Sequence, residues 1–388
     1  MPRALYLHVP FCPHVCPYCD FHKMRRNASL VAAYLDRIAE EALQRHARYP
    51  TTALATIYFG GGTPSHLSDQ ELTRIVRALD RAFGFPAELE TTLEADPLTF
   101  DRARLKRLRS MGFNRLSIGL QSTQDHVLAF LGRRHRSGEG LAAVELALDS
   151  GFEVSADLIT GVPGQDAALD LYRLARTSVP HISVYTLTIE PHTPFALRGV
   201  TVDQDKAADD FELAEKVLAS FGLERYEVSN HARSGHESSH NQVYWHGDYF
   251  LALGPTAAAF LPAADPTSET GDDGKPIGVR VTNPPIKGWL RQLAAETVAV
   301  TPEAYVEDVL MTALRTRKGA DLALLTSKTG IAVQKRYANA IGRLTEAGLL
   351  ELASGRLRAT DSGLARLNGV LRALFEGRRR MKVATPPQ

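Results

Sequence analysis

The sequence predicts an α/β protein built on a largely parallel sheet. The main observation is that short β-rich runs alternate with amphipathic helical stretches through the first half of the chain. Strands separated by helices pair in parallel through right-handed crossovers. The second observation is composition: 388 residues with 44% hydrophobic and 23% charged side chains are ordinary for a globular protein of one large and one smaller domain. Six strand–helix units are too few to close an eight-stranded barrel, and an open flavodoxin-like sheet is the competing arrangement. In either case functional residues belong at the C-terminal ends of the strands.

Strands are expected at 5–9, 56–59, 91–94, 115–119, 153–159 and 181–187, where Val, Ile, Leu, Thr and aromatic residues cluster. Helices are expected at 32–45, 70–83, 100–111, 140–150 and 167–178 from the 3.6-residue spacing of their apolar positions. Residues 261–287 are rich in Pro, Asp and Gly and read as an exposed loop. Helices then follow at 301–315 and 333–347, a hairpin at 348–360 and a last helix at 361–375, an order that resembles a winged helix. The organisation expected is a barrel-like unit over 1–230, a connecting segment over 231–290, a mostly helical winged-helix-like domain over 291–377 and a disordered tail over 378–388.

A net charge of +1 gives no support for a nucleic-acid partner. No apolar run approaches a membrane span, and the strand-like run begins too early to leave room for a signal peptide. Three cysteines, an odd number, suit a reducing cytoplasm better than a disulfide scaffold.

Those three cysteines, Cys12, Cys16 and Cys19, fall within eight positions in C-x3-C-x2-C spacing. Clustered thiolates select an iron–sulfur cluster, zinc or copper(I). A structural zinc or an ordinary cluster takes four protein ligands, so three leave one metal position open for chemistry. The alternatives are three apolar core cysteines, or a zinc completed by His8 or His14. After the second strand comes Gly60-Gly61-Gly62-Thr63-Pro64, a run that lets backbone approach a ligand closely. Glu94, Gln121 and Asp157 each interrupt an apolar strand, which is costly without a partner or ligand.

The cysteine spacing, with Tyr18 before the last cysteine, resembles the cluster motif of the radical S-adenosylmethionine (SAM) superfamily. The resemblance implies a partial (β/α)6 barrel and a 4Fe–4S cluster on Cys12, Cys16 and Cys19, with SAM on the fourth iron. Further stretches are similar to the coproporphyrinogen dehydrogenase-like branch and its heme-chaperone (HemW) members. They are Y-x-H-x-P-F-C from Tyr6, S-I-G-x-Q-S from Ser117, L-G-R-x-H from Leu131, D-L-I-x-G-x-P-G-Q from Asp157 and H-I-S-x-Y-x-L-T-I-E-P-x-T-P from His181. By this resemblance Tyr6, Gly61, Gly62, Thr63, Glu94, Gln121, Arg133 and Asp157 contact SAM.

Two departures separate the chain from the decarboxylating members of that branch. Phe21 stands where they carry a fourth cysteine, and only Met1 to Ala4 precede the first strand, where they carry an extension. Both match the heme chaperones, as does H-N-x-x-Y-W at His240 to Trp245. The resemblance therefore implies a cytoplasmic chaperone that binds heme, with His240 as the candidate iron ligand and His231, His236 and His246 as its competitors. It would pass heme to an acceptor hemoprotein, in transient contact where that acceptor is membrane-bound. The alternative is an oxygen-independent coproporphyrinogen III dehydrogenase of porphyrin biosynthesis. The sequence leaves open whether the chain is an enzyme.

Overall fold

Six strands appear where the alternation places them: β1 (Ala4–Val9), β2 (Thr56–Gly61), β3 (Glu90–Ala95), β4 (Arg115–Gln121), β5 (Glu153–Thr160) and β6 (His181–Thr186). Each pairs in parallel with the next. The computed structural model describes residues 1–51, 54–85, 89–263 and 275–382. The helices returning between strands include Ala28–Arg48, Asp69–Phe83, Arg102–Ser110, Ser137–Asp149 and Ala167–Ala175, with Gln204–Ser220 after β6. Local chemistry sets their starts. Ser68 and Glu71 form a reciprocal capping box on the second helix, and Asn27, Asp101 and Asp166 cap others.

The period-two alternation of the strands gives the barrel two faces. Leu5, Leu7, Ile57, Phe59, Leu93, Leu116, Ile118, Leu158 and Ile182 pack in one core with Tyr34, Ile38, Leu72 and Leu171 of the helices. The alternate positions carry Tyr6, Tyr58, Glu94, Ser117, Asp157 and Ser183, and these meet one another across the interior.

The sheet is larger than six strands. Short strands β7 (Glu224–Arg225) and β8 (Asn230–Ala232) extend it antiparallel beyond β6. On the other edge β9 (Phe250–Leu253) pairs parallel with β1. Antiparallel β10 (Ala258–Leu261), β11 (Gly278–Thr282) and β12 (Glu296–Val300) follow, so the order is β12-β11-β10-β9-β1-β2-β3-β4-β5-β6-β8-β7. The stretch 231–290, expected as a connector, thus supplies sheet strands; their runs of three to five residues are too short to show a period. Of the Pro-, Asp- and Gly-rich loop, residues 264–274 lie outside the described residues.

The C-terminal part has its own core, built by helices Pro302–Ala313, Leu322–Thr329 and Ala338–Glu346 against a three-stranded sheet. The hairpin strands are Leu350–Ala353 and Arg356–Ala359. The expected helix over 333–347 is broken at Tyr337, and that over 361–375 at Arg366. The last helix extends to Lys382, past the expected start of the tail at 378, and residues 383–388 lie outside the described residues.

Asp170 ties the end of β4 to the helix after β5. Its carboxylate accepts from the Ser122 hydroxyl, the Thr123 amide and hydroxyl, and the Gln165 amide group, all within 3.0 Å. The residue is fully buried, so the Ser122 hydroxyl and the Thr123 amide and hydroxyl lose this acceptor if it is truncated, while the Gln165 amide keeps the Ile159 carbonyl. Asp170→Ala is expected to destabilise the protein by about 2–4 kcal/mol. Denaturant unfolding checks this, and a midpoint equal to wild type would contradict it.

Candidate functional site

The C-terminal ends of β1 to β6 open onto one cavity of about 400 Å³. Its lining includes Cys12, Cys16, Cys19, Gly61, Gly62, Thr63, Glu94, Gln121, Arg133 and Asp157. Tyr6 is the one residue of the expected SAM set outside the lining. Its ring stacks on Tyr58 at 6.1 Å and its hydroxyl donates to His8 Nδ1 at 3.1 Å, so it supports the cavity from the layer beneath.

The cysteine loop leaves β1 through the two-residue strand Phe11–Cys12, which pairs with Met24–Arg25. His8 Nε2 donates to the His22 carbonyl at 2.9 Å, and the Lys23 ammonium bonds the Cys19 and Phe21 carbonyls, folding the loop back on itself. Cys16 Sγ has two nitrogen neighbours, His14 Nε2 at 3.4 Å and Arg133 Nη1 at 3.6 Å. Burial pushes the Cys12 thiol up to about 11 and raises that of Cys19. A metal centre would add to the positive charge that Lys23 and Arg133 already bring to this donor set. The chemistry of this donor set therefore fits an iron–sulfur cluster held by the three cysteines.

The glycine run is dictated by space. Gly61 has φ +114, and a Cβ there would sit 2.6 Å from the His8 ring. A Cβ on Gly62 would sit 2.9 Å from the Phe11 carbonyl oxygen and 3.0 Å from Cys12 Sγ. Only glycine lets β2 cross so close beneath the cysteine loop.

Glu94 and Asp157 are half-buried acids of the cavity wall, with buried Asp96 beside them. Glu94 accepts from the Tyr58 hydroxyl and the Gly61 amide, each at 2.9 Å. Burial pushes its carboxyl up to about 7, although these two bonds favour the charged form. Asp157 accepts from Ser117 Oγ at 3.2 Å, and burial pushes it up to about 6. Arg133 is held by Asp96 at 2.8 Å and by the Gly119 carbonyl at 2.8 Å. Gln121 has φ +69, left-handed backbone that a side-chain-bearing residue rarely adopts, at a register shift between β4 and β5. The buried cation between Asp96 and Cys16 suits a carboxylate ligand, and the two acids suit a cationic one.

Sequence reasoning missed Asp96, Tyr58, Ser117 and Lys23, which the structure places in the cavity wall. The signal was present for two of them, since Tyr58 and Ser117 occupy the inward positions of their strands.

His240 is placed elsewhere. It lies on the short helix Ser239–Trp245 beneath the N-terminal ends of the strands, with 1% of its surface exposed. Its Nδ1 is 2.8 Å from Thr56 Oγ1 and its Nε2 2.7 Å from the Tyr244 hydroxyl. Both ring nitrogens are therefore engaged inside the protein. Of the competitors, His231 is buried, His236 bonds Glu153 at 2.8 Å and His246 is half-buried.

A parallel half-barrel with three clustered cysteines at its C-terminal mouth is the architecture of the radical SAM superfamily, whose pattern matches residues 6–175. The HemN C-terminal domain matches residues 300–366. The heme chaperone HemW of Lactococcus lactis is 30% identical over 95% of this chain and 96% of its own length. That of Bacillus subtilis is 30% identical over 93% and 96%. Coproporphyrinogen III oxidase (HemN) from Escherichia coli, a radical SAM enzyme, shares the fold with a TM-score of 0.79 at 21% identity, over 96% of this chain and 90% of that one. The chain belongs to the heme chaperone HemW family. Among the described residues no helix is long and apolar enough to cross a membrane.

Glu94 and Asp157 fix a pH dependence. Their folded-state values lie above their ordinary ones, so the stability they contribute is complete below about pH 4 and is lost as pH rises through about 6 and 7. The melting temperature of the ligand-free protein is expected to fall between pH 5 and 8, and Glu94→Gln should flatten that fall. A variant with an unchanged slope would contradict the assignment.

Proposed function

We propose that the protein is a heme chaperone that binds heme and passes it to an acceptor hemoprotein. In this reading Cys12, Cys16 and Cys19 hold a 4Fe–4S cluster, and the cavity holds SAM. The observation that carries the choice within the family's chemistry is Phe21. It lines the cavity mouth with 62% of its surface exposed, at the slot where the decarboxylating relatives of the resemblance carry a fourth cysteine. An aromatic ring there supplies an apolar contact and no thiol. The names of the similar proteins from Lactococcus lactis and Bacillus subtilis support the same reading.

The cluster and SAM together supply reductive chemistry when bound. The chain's own residues bind and orient. Gly61, Gly62 and Thr63 present backbone to the ligand, with the Gly61 amide fixed on Glu94. Glu94 and Asp157 offer carboxylates to the cationic amino and sulfonium groups, and Arg133, aligned by Asp96, faces the carboxylate end. Gln121 reaches the same cavity from its strained turn. We place the protein in the cytoplasm, with heme and an acceptor hemoprotein as its partners.

An intact SAM cavity also keeps a porphyrinogen-decarboxylating activity chemically open, and one experiment separates the two. Anaerobic, cluster-reconstituted protein is titrated with heme and, separately, incubated with SAM, a reductant and coproporphyrinogen III. A saturable Soret band without protoporphyrinogen is the expected result. Catalytic formation of protoporphyrinogen without heme binding would overturn the chaperone reading.

The cavity acids give a second expectation. SAM affinity should rise with pH through about 6 to 7, as Asp157 and Glu94 ionise toward a cationic ligand. Equilibrium dialysis across this range checks it, and an affinity that falls with rising pH would contradict the placement.

A further inference from the structure

The H-N-x-x-Y-W segment forms the floor of the barrel. Glu90, the first residue of β3, accepts the Ser239 and His240 amides at 3.0 and 2.9 Å. Thr56, the first residue of β2, meets His240 Nδ1, and Tyr244 meets Nε2. Burial pushes the imidazole down to about 3, so it is neutral, with one nitrogen donating and the other accepting.

The ring continues upward as a column. His240 stacks on Tyr58 with centroids 5.0 Å apart and planes 25° apart. Tyr6, the register partner of Tyr58 on β1, stacks on the same ring at 6.1 Å and 24°. Tyr58 is therefore fixed by rings from two sides. Its hydroxyl then donates to Glu94 Oε1 at 2.9 Å, leaving Oε2 to the Gly61 amide. Through this chain, the imidazole at the floor determines where the carboxylate points at the cavity.

The opposite wall is built alike. Asp157 is the register partner of Ser183, whose Oγ is 3.5 Å from Ser155 Oγ, and Ser155 Oγ lies 2.7 Å from His181 Nδ1. His181 Nε2 is 2.7 Å from the Tyr226 hydroxyl, which also accepts the Ser238 amide at 3.2 Å. Both cavity acids thus rest on columns that end at the same segment, residues 238–244.

We infer that His240 is a positioning residue of the SAM cavity, acting through Tyr58 on Glu94, and that it is not the iron ligand for heme in this fold. The inference rests on the reading that Glu94 faces SAM. An axial ligand must offer a free lone pair to an iron at the centre of a macrocycle. The His240 ring is 1% exposed and engaged on both nitrogens. Turning it outward would leave the Thr56 and Tyr244 hydroxyls buried without their partner, at about 1–3 kcal/mol each. Removing it opens a void beneath Tyr58 and releases the ring that holds Glu94.

The test uses full-length, cluster-reconstituted wild type, His240→Ala and Tyr58→Phe. SAM affinity is measured by anaerobic equilibrium dialysis, and heme binding by Soret titration. Tyr58→Phe keeps the stacked ring and removes only the hydroxyl, so it reports on the Glu94 bond even if His240→Ala folds poorly. The expected result is an increase of about tenfold in the SAM Kd of both variants, the loss of one hydrogen bond to a charged group. The heme Soret maximum and affinity of His240→Ala should stay at wild-type values. Unchanged SAM affinity in both variants would overturn the inference, as would a His240→Ala protein that keeps its SAM affinity and loses the heme band. Wild type without SAM affinity would remove the cavity reading itself, and this inference with it. Wild type that binds SAM and no heme would overturn only the chaperone reading, and the dialysis arm would still decide the role of His240.

Discussion

The interior of this barrel is polar, and each polar group in it must find a partner within reach. That requirement fixes much of the structure. Inward positions carry Tyr6, Tyr58, Glu94, Ser117, Asp157, His181 and Ser183, while the outward positions of the same strands carry the aliphatic residues that bury the helices. A buried carboxylate without donors is costly, so Glu94 draws the Tyr58 hydroxyl and the Gly61 amide, and Asp157 draws Ser117. The partners in turn need support. The columns beneath them therefore run down to the segment that closes the barrel at its N-terminal end.

The two ends of the barrel have different duties. At the C-terminal end the cysteine loop, the glycine run and Arg133 surround an open cavity. At the other end Glu90, Arg115 and Thr56 hold residues 236–240, with Arg115 donating to the His236 carbonyl at 3.2 Å. A strand of six residues separates the ends by roughly 20 Å. The C-terminal domain is tied near that closed end: the Arg315 guanidinium bonds buried Glu227, and the Thr312 hydroxyl donates to the Trp245 carbonyl at 3.2 Å. A change in the floor therefore has paths both to the cavity acids and to the C-terminal domain.

Much of this was legible in the chain, and the misses have physical causes. Strands with alternating faces and helices with a 3.6-residue stripe carry their own signal, which is why β1 to β6 stand where the pattern puts them. The cysteines and glycines were legible because few other roles suit three thiols or three glycines so close together. Strands β8 to β11 were hidden because three to five residues carry no period, and β9 reaches β1 only through pairing across more than 240 residues of chain. The breaks at Tyr337 and Arg366 fall inside continuous helical patterns, which carry no mark of them. His240 is hard to place from sequence for a related reason. A histidine beside aromatic residues looks the same in sequence whether it faces a ligand or fills a barrel floor, and only its partners Thr56 and Tyr58 distinguish the two.

The central claim is that the three cysteines hold a cluster with one open iron facing a cavity built for SAM. Electron paramagnetic resonance of the reduced, reconstituted protein, recorded with and without SAM, tests it most directly. The account predicts a 4Fe–4S signal whose g-values shift when SAM is added, because the ligand reaches the iron that no cysteine holds. A spectrum identical at saturating SAM would contradict it, and would mean that the open position is not where the cavity leads.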